Sequence, residues 1–243
     1  MICFMIFRHC LLGTGLDATF AGGKLMNYPL IFIMSWFFFK SGMFFDHSGK
    51  TPISETARKS VERLLVPLLV FSAVAVVIEC MVHGFLEGLS GVKSILHDIP
   101  SYLKREGCVA SNAPLWFLFS LFFVRIFYAF AVRMHIPRLL VSVISFICAY
   151  GLFKSDLPIA LYFENIAAGL FFFSMGDLLR DIQYTTPAFI LSGIIYILYL
   201  RFAFCYHDIT CEFRINTFVP YIPTIVFSLA GCIAINNLFR RIA

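Results

Sequence analysis

The chain has 243 residues, of which 60% are hydrophobic and only 14% charged; thirty are Phe, and the mean hydropathy is +0.87. An average soluble domain is roughly 45–50% apolar and about 25% charged, so these residues cannot build a water-facing surface, and the same hydrophobicity excludes disorder. The net charge of +5 comes from Lys and Arg scattered singly or in pairs, which argues against a nucleic-acid footprint and leaves a polytopic membrane protein with room for about eight spans.

Residues 1–12 form an apolar run too short to span, carrying Arg8 and His9. No basic segment precedes it, so it reads as the exit half of a helix and not as a signal peptide. Seven longer runs follow, at about 28–45, 64–83, 114–132, 137–153, 158–178, 188–206 and 218–239. In lipid every backbone polar group must be satisfied internally, and the alternation that marks barrel strands is missing. The expected fold is therefore all-α: a transmembrane helix bundle of about eight spans, the first one partial. Pro29, Pro114, Pro137, Pro158, Pro187 and Pro220 fall near the starts of runs, where a missing N–H costs least.

The stretch 84–113 mixes Gly, Ser, Pro and both charge signs and is expected to be an extracytoplasmic loop. No repeat or linker divides the chain, so residues 1–243 read as a single transmembrane domain. Loop charges set its orientation. Lys50, Arg58, Lys59, Arg63, Arg133, Arg138, Arg180, Arg240 and Arg241 crowd one set of loops, which is placed in the cytoplasm; the implied location is the cell membrane, multi-pass. The eight Cys include no CxxC pair, and most behave as small hydrophobes. No metal site is expected. The spacing of Cys205 and Cys211 leaves a loop disulfide or, less favoured, a metal site open.

A charge inside hydrocarbon costs roughly 2.5–3.5 kcal/mol at a helix centre. Arg8, His9, Lys40, Glu79, Arg125, Glu164 and Arg201 lie inside apolar runs or at their margins. Lys40, Arg125 and Arg201 have stems long enough to reach an interface or a carboxylate. Glu164 precedes small residues that permit close packing, and either hydrogen-bonds an acceptor or pairs with Arg201. His9 titrates near neutrality and stands out as a catalytic candidate beside its ordinary reading as a packed residue.

Four stretches taken together resemble the integral-membrane acyltransferase-3 family, which moves acyl groups from acyl-CoA to hydroxyls of sugars and cell-envelope glycans. Phe4-Met-Ile-Phe-Arg-His9 is similar to the end of the family's first helix. Residues 30–45, with aromatics ending in Ser41-Gly42, resemble its second. Arg58-Lys59-Ser-Val-Glu-Arg63-Leu-Leu-Val-Pro67 looks like the basic entry to its third, and Pro114-Leu-Trp116-Phe-Leu like a Pro-Leu-Trp-Phe-Leu signature. Gly169-Leu-Phe-Phe-Phe-Ser-Met-Gly176 is a weaker match to a later Gly-ended helix.

The resemblance implies O-acyl transfer, most simply O-acetyl transfer, to an envelope carbohydrate or lipid-linked sugar. Acyl-CoA serves as co-substrate, and no other cofactor is implied. It makes His9 the general base and Arg58, Lys59 and Arg63 ligands of the CoA phosphates, although such a cluster also suits a positive-inside flank. Ser41, Trp116 and Glu164 become candidates for lining the substrate path, with an interfacial or lipid-facing role open for the aromatics. Family members have about ten spans and a basic residue about three turns before the His, so the resemblance also implies a chain truncated at both ends. A transporter or flippase-like carrier of a lipid-linked sugar is the alternative, and an inactive homologue a third; neither inverted repeats nor matching broken helices mark a transporter.

Overall fold

A computed structural model of the protein describes residues 31–49, 51–109, 115–155, 161–205, 210–213 and 216–242. His9 and the rest of the partial first helix lie outside them. The described residues form eight helices: α1 Ile33–Met43, α2 Ile53–Glu87, α3 Leu89–Glu106, α4 Trp116–Arg133, α5 Arg138–Lys154, α6 Leu161–Leu178, α7 Thr186–Cys205 and α8 Tyr221–Ile242. Strands β1 (Thr210–Glu212) and β2 (Thr217–Val219) form a small antiparallel ribbon between α7 and α8, with Cys211 opposite Phe218. The all-α expectation holds at this level.

Among the described residues, α2, α4, α7 and α8 are long and apolar enough to cross a membrane. The other expected spans fall short for identifiable reasons. Described α1 has 11 residues and α5 has 17, while α6 carries Glu164, Asn165 and Asp177. Helix α2, with 35 residues, reaches about 52 Å at 1.5 Å per residue, well beyond a hydrocarbon core of about 30 Å. Its polar first turns therefore extend past the apolar stretch. That stretch exposes Leu69, Phe71, Val74, Ile78, Met81 and Phe85, a surface suited to lipid and not to water.

The segment expected to be a loop at 84–113 is helix α3 over most of its length. The composition that suggested a loop concealed a helical period, with Leu89, Leu96 and Leu103 seven residues apart. Gly88, at φ 67°, makes the turn out of α2, and α3 packs back against α2. Gly91 permits the approach, since a Cβ there would meet the Glu87 side chain and the His83 carbonyl at about 3 Å. Gly107, left-handed at φ 71°, ends α3 with its N–H on the Leu103 carbonyl at 3.0 Å.

The described residues fall into two compact units. One lies within Met1–Phe45, Phe172–Phe213 and Thr217–Ala243, the other within Asp46–Phe171 and Arg214–Asn216. In the first unit α1 packs on the final turns of α6 through reciprocal glycines. A Cβ on Gly42 would stand 1.9 Å from the Phe173 carbonyl oxygen, and one on Gly176 would stand 2.0 Å from that of Phe39. The pairing of 42 with 173 and 39 with 176 makes the two helices antiparallel. Only residues without a side chain allow backbones this close.

Around that crossing Phe32, Phe39, Met43 and Cys232 form a buried cluster. Helices α7 and α8 pack together, with Tyr199 and Phe227 at 4.9 Å between ring centroids. The ribbon closes one end, where Phe213 stacks on Phe38 at 5.1 Å and meets Phe218 edge-on at 5.6 Å. In the second unit the start of α2 packs on α4. Phe146 of α5 meets Phe171 of α6 at 5.5 Å, and buried Asn216 donates its amide to the Ala149 carbonyl at 2.7 Å.

Candidate functional site

The second unit holds Trp116 on α4, Glu164 on α6 and the three cations Arg58, Lys59 and Arg63 on α2. Trp116 opens α4 and is buried. One turn on, buried Ser120 donates its hydroxyl to the Asn165 side-chain oxygen of α6. Asn165 is itself buried, and it sits next to half-buried Glu164. Further along α4, Arg125 donates from Nε to the Ser60 hydroxyl at 3.2 Å. Trp116 and Arg125 are nine residues apart in sequence, or about 14 Å of helix rise. Two separate hydrogen bonds therefore tie α4 to its neighbours, one to α6 and one to α2, where apolar packing alone would have been cheaper.

Ser60 belongs to the basic entry of α2, and the backbone there departs from α geometry. Val61–Leu65 is a π turn in which the Val66 N–H reaches back to the Val61 carbonyl. Pro67 accounts for it: proline has no N–H for the Arg63 carbonyl, and its ring would press on that carbonyl in a regular helix. One wider turn relieves the clash, and such turns recur at functional sites. Arg63 lies inside the turn.

The three cations expected to hold phosphate differ in their surroundings. Arg58 pairs with Glu62 at 3.0 Å and Lys59 with Glu55 at 2.6 Å; both pairs are exposed and one helical turn apart. Such exposed pairs contribute little to stability, but they already balance both charges. Arg63 has no carboxylate partner among the described residues. A guanidinium without a carboxylate can take a phosphate oxygen pair through two parallel N–H donors.

The first unit holds Ser41, which is half-buried in the last turn of α1. The motif's demonstrable role there belongs to its neighbour Gly42, which admits the backbone of α6. Buried Asp177 pairs with Arg180 at 3.0 Å, and Arg180 also donates to the Phe45 carbonyl. Cys205 and Cys211 form no disulfide with each other, and Cys211 lies against the Ile31 carbonyl at 3.5 Å. The open disulfide reading is therefore corrected: Cys211 is directed at a backbone oxygen beside α1.

Glu164 lies in the second unit and Arg201 in the first, with Arg201 exposed on α7. Among the described residues no group of three His, Cys, Asp or Glu is placed to hold a metal. Sequence reasoning passed over Ser60, Ser120 and Asn165, since isolated small polar residues in apolar runs usually bond their own backbone. The one advance signal was Arg125, whose charge needs a reason to be in an apolar run. No protein-family model matches the chain, and neither curated proteins nor solved structures include a match.

Proposed function

We propose that the protein is a membrane O-acyltransferase that moves an acyl group, most simply acetyl, from acyl-CoA to a hydroxyl of a cell-envelope carbohydrate or lipid-linked sugar. The reading rests on the ordered resemblance running from His9 to Leu118. The observations that support it best are two interhelical hydrogen bonds of the second unit, Ser120 to Asn165 and Arg125 to Ser60, the second of them one residue before the π turn that holds Arg63. The eight-span bundle and the cytoplasmic placement of the basic segments belong to the same proposal.

An alcohol attacks a thioester slowly until its proton is removed, and imidazole titrates in the working range. In the proposed reaction His9 takes the proton of the acceptor hydroxyl. The alkoxide oxygen bonds to the acyl carbon, the carbon–sulfur bond breaks, and the CoA thiolate leaves and regains a proton. Arg63 is the principal ligand of the CoA phosphates, because Arg58 and Lys59 are already paired. The family resemblance makes Ser41 in the first unit, and Trp116 and Glu164 in the second, the remaining candidates for contact with the reacting groups.

The test compares acylation of surface glycan in cells producing wild-type, His9→Ala and Arg63→Gln proteins at equal abundance. Loss with His9→Ala, together with a raised KM for acyl-CoA in Arg63→Gln, supports the reading. Unchanged acylation in His9→Ala overturns its role, and failure of the purified wild-type chain to bind acetyl-CoA overturns the reaction class.

A further inference from the structure

The first unit carries three cations at one end that no carboxylate among the described residues balances. Lys40, in the last turn of α1, donates from Nζ to the Asn236 side-chain oxygen at 3.4 Å and lies 5.1 Å from the Phe44 ring centroid. The same amide oxygen accepts the indole N–H of Trp36 at 2.9 Å, and the amide nitrogen faces the Met43 sulfur at 3.3 Å. Asn236 is thus a fixed hub between α1 and α8. One turn beyond it on α8, Arg240 stacks over Tyr184 at 4.3 Å, and Arg241 lies over Phe189 at 4.7 Å.

Among the described residues none of these three cations has an acidic side chain within 4.0 Å. The ion pair at this end belongs to Arg180 and Asp177. A basic last turn by itself only complements a helix dipole. What sets this end apart is Lys40, which enters from a second helix through the shared amide, together with the rings that hold the guanidinium groups in place.

The surface beside the cations is apolar. Phe44 is 76% exposed next to Lys40, while Leu238 and Phe239 are about half exposed next to Arg240. Trp36 and Tyr184 supply the amphipathic rings that settle at headgroup level. A cationic platform continuous with an apolar skirt matches a molecule with a phosphate at one end and hydrocarbon at the other. We infer that Lys40 and Arg240, placed by Asn236 and Tyr184, form a binding site for the phosphate headgroup of an anionic phospholipid, whose chains run along Phe44, Leu238 and Phe239. The site lies wholly within the first unit and stands independently of the proposed acyl transfer.

Trp36 makes the site observable without altering it. In a Trp116→Phe background the remaining tryptophan is Trp36. The full chain is reconstituted in phosphatidylcholine vesicles and titrated with brominated phosphatidylglycerol or brominated phosphatidylcholine. A specific site predicts quenching by the anionic lipid at about tenfold lower mole fraction, from two cations near a charged headgroup. The preference should shrink in high salt and in Lys40→Gln and Arg240→Gln, but persist in Lys104→Gln, whose charge lies on α3. Equal quenching by both lipids overturns the site, and so does an equal loss of preference in Lys104→Gln. Millimolar inorganic phosphate that displaces the lipid without a chain-length dependence shows a free-anion site and overturns the lipid assignment.

Discussion

The glycine crossing of α1 and α6 yields a prediction whose sign is informative. Gly→Ala inside a helix ordinarily stabilises by roughly 0.5–1 kcal/mol, because alanine loses less backbone freedom on folding. At Gly42 the new Cβ would stand 1.9 Å from the Phe173 oxygen, and at Gly176 2.0 Å from the Phe39 oxygen. Even a close carbon–oxygen contact settles near 3.3 Å, so the helices must part by more than about 1 Å. Both obstructing atoms are backbone, and no side chain can swing away. Overpacking of this kind costs about 1–3 kcal/mol, so each single substitution is expected to destabilise by that amount. The two sites share one interface, and a gap opened by the first alanine accommodates the second; the double variant should cost clearly less than the sum. Gly193 on α7 has open space around it and serves as the control, with Gly193→Ala neutral or mildly stabilising. Reversible unfolding in mixed micelles measures all four variants. Additive losses, or a Gly42→Ala as stable as wild type, would refute the reciprocal crossing.

Three further outcomes are expected. His135 has a left-handed backbone at φ 57° where α4 turns into α5, so His135→Gly should raise stability by roughly 0.5–1 kcal/mol; a loss of stability would show that the imidazole matters more than the backbone. Arg125→Leu deprives buried Ser60 of its donor and should cost about 1–3 kcal/mol, with most of the loss absent in a Ser60→Ala background if that hydrogen bond is the cause. Asp46 is held down to about 2 by the Ser48 backbone N–H, then by the Ser48 and Thr51 side chains, below its unfolded value of about 3.9. Its contribution is therefore complete above about pH 4 and disappears as pH falls toward 2, so an Asp46→Asn variant should lack that part of the acid-side decline, and parallel profiles between pH 5 and 2 would contradict the assignment.

The motifs that carry the family resemblance acquire different physical meanings in three dimensions. Gly42 and Gly176 come from two separate stretches of sequence yet meet at one crossing. Pro67 was legible as a helix-entry proline, but its consequence, a π turn around Arg63, depends on the register of the carbonyl four residues earlier. Arg58, Lys59 and Arg63 look equivalent in the sequence. Local pairing at four-residue spacing separates them, leaving only Arg63 without a carboxylate among the described residues. Helix α3 was obscured because Gly88, Gly91, Pro100 and mixed charges read as loop punctuation and masked the seven-residue spacing of its leucines.

Composition alone determined that the chain belongs in a membrane and that its spans are helices, because hydrocarbon leaves the backbone no other partner. The positions of α2, α4, α7 and α8 followed from apolar run length in the same way. Tertiary structure decided which of the few polar residues matter together. Ser60 meets Arg125, Ser120 meets Asn165, and Lys40 shares Asn236 with Trp36, across separations of 45 to 200 residues. Hydrophobicity is a property of local sequence, whereas a hydrogen bond between two helices exists only after both have packed.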